Sequence, residues 1–272
     1  MARKKRNNHD ALVGGSLAVV GILLLAGLAG LAWWFGQAQQ RAAATNCPAA
    51  GPLAIHIIMI DRSDPITPSQ VQRIQQHLQQ VKRDAAEDTR LDVYSFEGSL
   101  SDILEPSISI CAPRKPEDAD PWVEGPIKVR ALYQRFSKRL DDELNAMLAA
   151  HTQPTSPIIE SLRGAAQTSF GSVGSRQLPL KVTLISDLVQ NTKNVSHLRA
   201  APDFGALERS NLWSSLRPDL KGADVDVLYL LRPSALRGGQ PVQNVGHQQF
   251  WDALLRASAG HPLGIWPVGG AQ

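Results

Sequence analysis

The chain has 272 residues, 43% hydrophobic and 19% charged, which is the composition of a globular protein and not of a generally disordered one. Its formal net charge is +3, and much of that excess sits in Arg3-Lys4-Lys5-Arg6, so the near-neutral remainder gives no basis for nucleic-acid binding. The length allows one substantial domain plus an appendage.

Ala11 to Phe35 carry no charge, and the stretch is longer than the roughly 20 apolar residues needed to cross a bilayer. Trp33-Trp34 closes it, where amphipathic aromatics favour the interface. We therefore expect a cytoplasmic basic tail at 1–10, a transmembrane helix at 11–36 and a linker at 37–52. A cleaved signal peptide is the alternative, with Ala42-Ala43-Ala44 as small residues for cleavage. Its apolar region spans about 7–15 residues, and this one is longer. The basic cluster ahead of the span favours a single-pass protein of the inner (cytoplasmic) membrane, N-terminus inside, with a periplasmic or extracellular C-terminal part. Ala26 and Gly30, four residues apart, would let two such helices pack as a homo-oligomer, although Gly/Ala-rich spans often carry that spacing by chance. Cys47 and Cys111 both lie on the exported side. In an oxidising compartment they are either a disulfide or two unrelated thiols, and their spacing resembles no zinc site.

After a Pro- and Gly-containing tether, Leu53 to Ile60 reads as a buried strand that stops on Asp61-Arg62-Ser63-Asp64-Pro65. Thr67-Pro68-Ser69 opens a helix whose apolar stripe is Val71, Ile74, Leu78 and Val81. Strands follow at Leu91–Phe96 and Ser107–Cys111, the second flanked by the Pro- and charge-rich loop of Asp102 to Trp122. A long helix covers about Ile127 to Ala150, and another opens at Thr155-Ser156-Pro157 and runs to about Phe170. Leu180 to Ile185 is a second buried strand, ending on Ser186-Asp187. A helix near Phe204 to Leu216, a strand at Val225–Leu231, a helix at Gln248–Ser258 and a strand at Leu263–Val268 complete the order. Strands alternating with helices imply βαβ units, so the expected fold class is α/β, a three-layer, doubly wound, mostly parallel sheet over 53–270.

Three polar turns then share the end of the sheet where such folds bind ligands. Asp61 and Ser63 follow the first strand, Thr155-Ser156 precede a helix, and Asp187 follows the strand Leu180–Ile185. Carboxylate and hydroxyl oxygens suit a hard divalent cation, Mg²⁺ or alternatively Mn²⁺ or Ca²⁺. For Asp61 taken alone, the simpler reading is a strand-end carboxylate capping local amides. His56 reads as a core or sheet-face residue, and Trp122, Trp213 and Trp266 as packing residues.

These segments resemble the von Willebrand factor A-type domains, whose metal-ion-dependent adhesion site uses Asp-x-Ser-x-Ser after strand one, a Thr in a later loop and an Asp after the fourth strand. Asp61-Arg62-Ser63-Asp64-Pro65 matches the first element at two of three ligands, Ser156 stands in the Thr position, and Leu184-Ile185-Ser186-Asp187 is similar to the strand ending in Thr-Asp-Gly, with Leu188 for Gly. The resemblance implies a cation held by Asp61, Ser63, Ser156 and Asp187, with Asp64, Thr67 or Thr155 as auxiliary ligands because Pro65 removes one hydroxyl. It implies strand order 3-2-1-4-5-6 with strand three antiparallel, which brings Cys111 and Cys47 to the same membrane-proximal end and pairs them. It also implies a protein partner whose carboxylate completes the coordination at the membrane-distal face. The alternatives are a structural domain of this type without metal, or an exported Mg-dependent phosphatase using Asp61 as nucleophile. The phosphatase is the poorer match, because Ser63 stands where haloacid-dehalogenase-type enzymes want a second Asp and Lys181 does not supply their lysine.

Overall fold

The computed structural model describes residues 19–31, 41–42, 44–96, 104–120, 125–148, 153–171 and 177–269. The basic tail, Trp33-Trp34 and Trp122 lie outside them. The chain separates into two compact units, one of residues 1–43 and 48–51, the other of 44–47 and 52–272.

In the first unit, residues 19–31 form a helix (α1). Ile22, Leu23, Leu24, Leu25, Leu28 and Leu31 are all exposed on it, so its apolar side chains surround the axis instead of forming one stripe. Among the described residues no helix is long and apolar enough to cross a membrane, and the rest of the predicted span 11–36 lies outside those residues.

The second unit is α/β. Its strands are β1 (Ala54–Asp61), β2 (Thr89–Phe96), β3 (Ile108–Cys111), β4 (Leu180–Ser186) and β5 (Asp224–Leu230), followed by a small hairpin of β6 (Leu236–Arg237) and β7 (Gln240–Pro241), then β8 (His261–Val268). Its helices are α2 (Pro68–Asp84), α3 (Pro126–Met147), α4 (Ile158–Gly171), α5 (Phe204–Glu208), α6 (Trp213–Leu216) and α7 (Val245–Ala257). The six-stranded sheet runs β3-β2-β1-β4-β5-β8, with β3 alone antiparallel to its neighbour. That is the order implied by the resemblance.

β1 is a continuous apolar run because it sits mid-sheet and is covered on both faces. Ile55, Ile57 and Met59 pack in one core with α4 and α7 side chains such as Leu162 and Trp251. Ile58 and Ile60 pack in the other with Ile74, Leu78, Phe136 and Leu140 of α2 and α3. Asp61, in step with the odd-numbered residues, therefore emerges on the α4/α7 face.

Helix α2 begins where the sequence signals it. Thr67 is its N-cap, with a reciprocal bond to Gln70, and Pro68 occupies the first turn. The predicted helix over Phe204–Leu216 is instead two short ones, because the Leu207 carbonyl is taken by both the amide and the hydroxyl of Ser210. Residues 44–47 of the predicted tether belong to the second unit. Cys111 N–H donates to the Thr45 carbonyl at 2.8 Å, Asn46 Nδ2 donates to the Cys111 carbonyl at 3.1 Å, and Cys47 is disulfide-bonded to Cys111. With its ends 64 positions apart, the cross-link stabilises by about 4 kcal/mol in the chain-entropy model. Trp213 packs edge-on against Phe204, whereas Trp266 is 57% exposed, because β8 is an edge strand and the residue is not core.

His56 is buried on the central strand, with Nε2 2.8 Å from the Thr183 hydroxyl. Burial first, then the nearby Lys181 and His77, push it down to about 3, so it stays neutral when folded. An unfolded histidine titrates near 6.5. The stabilising contribution of neutral His56 is thus complete above about pH 6.5 and is lost as pH falls toward 4. Denaturant titrations at pH 7 and pH 4.5 should show a smaller loss in His56→Gln than in the wild type; an equal loss would rule out this assignment.

Candidate functional site

The register of β1 against β4 builds the site. Ile60 lies opposite Ile185, so Asp61 and Ser186 leave the sheet side by side. Ser186 Oγ donates to Asp61 Oδ2 at 2.7 Å and accepts the Leu188 amide at 2.8 Å. Asp61 Oδ1 accepts the Ser63 amide at 2.9 Å and the Ser63 hydroxyl at 2.6 Å. Ser156 Oγ stands 3.1 Å from Ser63 Oγ and 3.4 Å from Asp61 Oδ2. Asp61 therefore caps its own turn and also gathers hydroxyls from two other loops.

Backbone bonds hold those loops together. Ser156 and Asn191 exchange amide-to-carbonyl bonds of 3.0 and 2.9 Å, and Gln153 N–H donates to the Ser63 carbonyl at 2.8 Å. Gln190 Oε1 receives the Ile159 amide at 3.0 Å at the start of α4. Asp187 Oδ1 accepts the Val189 amide at 2.8 Å, while its Oδ2 pairs with Arg232 Nε at 3.2 Å. Arg232 comes from the loop just past β5, and its Nη1 also donates to the Pro65 carbonyl. Gln243 Nε2 bonds the Asp187 carbonyl at 2.9 Å from the connection into α7.

Leu188 follows in left-handed backbone, φ 59°, at the position where the resemblance expects Gly. A buried leucine tolerates that conformation because its surroundings hold it there. Its carbonyl accepts from Trp251 Nε1 at 2.9 Å and from His247 Nε2 at 3.0 Å. A carbonyl can only accept, so His247 carries its proton on Nε2 and its Nδ1 accepts the Tyr229 hydroxyl at 2.6 Å. Burial, the main cause, pushes His247 down to about 4, consistent with that neutral tautomer.

Asp61 and Asp187 are 4% and 3% exposed, so both carboxylates are nearly sealed from solvent. Burial raises both. Asp187 is pushed up to about 7, with repulsion from Asp61 the second cause, opposed by the Val189 amide and the Arg232 guanidinium. Asp61 is raised against the bonds from Ser63 and Ser186, with Asp64 adding repulsion. The salt bridge to Arg232 would by itself hold Asp187 ionised, but one guanidinium does not offset burial plus two neighbouring carboxylates.

The four predicted ligands, Asp61, Ser63, Ser156 and Asp187, thus converge. Asp64 is half-buried on the same turn, and Thr155 is half-buried beside Ser156. Thr67 does not join them: its hydroxyl accepts the Gln70 amide at 3.3 Å and caps α2. Lys181 pairs with Asp226 at 3.1 Å, toward the opposite end of β4. Among the described residues no group of three or more His, Cys, Asp or Glu side chains is placed to hold a metal ion. The cluster is two carboxylates and three hydroxyls, with Ser186 added to the predicted set. Oxygen donors with an excess of negative charge fit a hard divalent cation that keeps several waters.

No protein-family model matches the chain, and no curated protein matches it. Among solved structures it is similar to an aerotolerance-related membrane protein from Bacteroides fragilis NCTC 9343 with multiple mutations to serines, at 11% identity over 78% of this chain and 90% of that one, with a TM-score of 0.40. It is also similar to the ArnB paralog VWA2 from Sulfolobus acidocaldarius, at 10% identity and a TM-score of 0.37, over 79% of this chain and 42% of that chain.

Ser186, absent from the predicted ligands, supplies the shortest bond to Asp61 Oδ2. Removing it leaves the Leu188 amide without this partner and Asp61 Oδ2 with only the longer 3.4 Å contact to Ser156. Ser186→Ala should lower unfolding stability by about 1–3 kcal/mol in denaturant titration; a loss below about 0.5 kcal/mol would show that the bond is dispensable.

Proposed function

We propose that the domain is a membrane-anchored protein-binding or scaffolding module. In this reading Asp61, Ser63, Ser156 and Asp187 hold a divalent cation, Mg²⁺ foremost, at the carboxyl ends of β1 and β4. The observation that carries it is the pair of nearly sealed carboxylates, Asp61 and Asp187, which repel one another, with three hydroxyls gathered on Asp61. When bound, the cation would offer an open position to a carboxylate of a protein partner. Ser63 and Ser186 fix the orientation of Asp61, and the Val189 amide fixes that of Asp187. Both oxygens of Asp61 are engaged by hydroxyl and amide donors, which suits a positioned ligand better than a free nucleophile. That favours binding over hydrolysis.

The anchor belongs to the same reading. The uncharged stretch 11–35 includes α1, whose exposed leucines lie all round the helix, as a lipid-facing helix requires. A disulfide persists in oxidising compartments, which supports a reading with the Cys47–Cys111 domain on the exported side of the inner membrane. After an alkaline carbonate wash, the full chain should stay in the membrane pellet; release into the supernatant would remove the anchor from the proposal.

The cation is tested by thermal melting of the full chain in detergent. At a cation concentration about one hundred times the dissociation constant, the folded state should gain about 2.7 kcal/mol over EDTA. The gain should appear with Mg²⁺ or Mn²⁺ and vanish in Asp61→Ala. No gain in the wild type, or an equal gain in the variant, would reject the site.

A further inference from the structure

Arg232 brings a positive charge to this cluster, with Nε 3.2 Å from Asp187 Oδ2 and Nη1 on the Pro65 carbonyl, and the guanidinium-bearing side chain is only 12% exposed. Its two contacts belong to different loops. Asp187 follows β4, and Pro65 ends the turn after β1, at the position where the adhesion-type motif would have its second Ser. A bound divalent cation and this guanidinium would claim the same carboxylate, and one carboxylate oxygen cannot serve both at full strength.

We propose that Arg232 is a built-in competitor for the cation site, holding a closed, cation-free form by clasping Asp187 to the 61–65 turn, and that it leaves Asp187 when a divalent cation binds. This rests on the cation reading above. In that form the Asp187 charge is paired with Arg232, and the Asp61 charge is met by hydroxyls and an amide. Because the guanidinium also holds Pro65, its departure frees the 61–65 turn from the end of β5, so cation binding and the shape of the partner-facing surface are coupled. The apparent affinity for cation is reduced by the fraction of molecules that are closed.

The test is Mn²⁺ binding to the full chain in detergent, followed by calorimetry and by the Mn²⁺ electron paramagnetic resonance signal. Arg232→Gln keeps a polar side chain that can still donate a hydrogen bond but is shorter and loses the charge. It should bind Mn²⁺ about tenfold or more tightly than the wild type. Equal or weaker binding by Arg232→Gln, with Asp61-dependent binding by the wild type, overturns the competitor and leaves the cation site standing. Absence of binding by either chain overturns both. Should Arg232→Gln fail to fold, the wild type itself carries the test through its ¹⁵N-labelled Arg232 Nε–H. That proton should be sheltered from solvent exchange in EDTA and exchange rapidly at saturating Mg²⁺; retained shelter at saturation overturns the proposal.

Discussion

A carboxylate almost wholly removed from water must be met by donors, and at Asp61 those donors come from three separate loops. Leaving the group unmet in a low-dielectric interior costs more than a small domain can spare. Ser63 answers from its own turn, Ser186 from the end of β4 and Ser156 from the loop into α4. The backbone bridge between Ser156 and Asn191, and the Gln153 bond to the Ser63 carbonyl, follow from bringing these loops together. One corner of the sheet is thereby tied into a single hydrogen-bonded unit.

The second carboxylate makes this unit a device and not merely a cap. Asp187 sits close enough to Asp61 to be raised by it, and Arg232 answers only part of that charge. The turn carrying Asp187 is held from beneath by α7, where His247 and Trp251 share the Leu188 carbonyl. Leu188 keeps its left-handed backbone because those bonds and its burial leave it no alternative.

Elsewhere the domain shows ordinary solutions to ordinary constraints. β8, an edge strand, carries Pro262 and Pro267, which lack the amide protons that a further strand would need. Lys82, largely buried on α2, is paired with Asp141 of α3 at 2.7 Å, so the two helices on one face are joined by charge as well as by packing. Trp266 is left exposed on the same edge that the prolines protect.

Local pattern determined much of this in the amino-acid sequence alone. The order of strands and helices, the double burial of β1, the capping of α2 at Thr67-Pro68 and the placement of Asp61, Ser63, Ser156 and Asp187 on turns after or before apolar runs all depend on neighbours in the chain. The pairing of Cys47 with Cys111 came from the implied strand order, not from spacing. What only the tertiary structure decided are relations across sequence: Ser186 beside Asp61, set by the β1–β4 register; Arg232 on Asp187 and Pro65, residues 45 and 167 positions away; and His247 and Trp251 beneath Leu188. Thr67 shows the same limit from the other side, since a hydroxyl near a motif serves as ligand or as cap according to which amide its helix presents. Periodicity records which face of an element is buried. It does not record which distant charge meets that face, because this depends on how the elements close around the sheet.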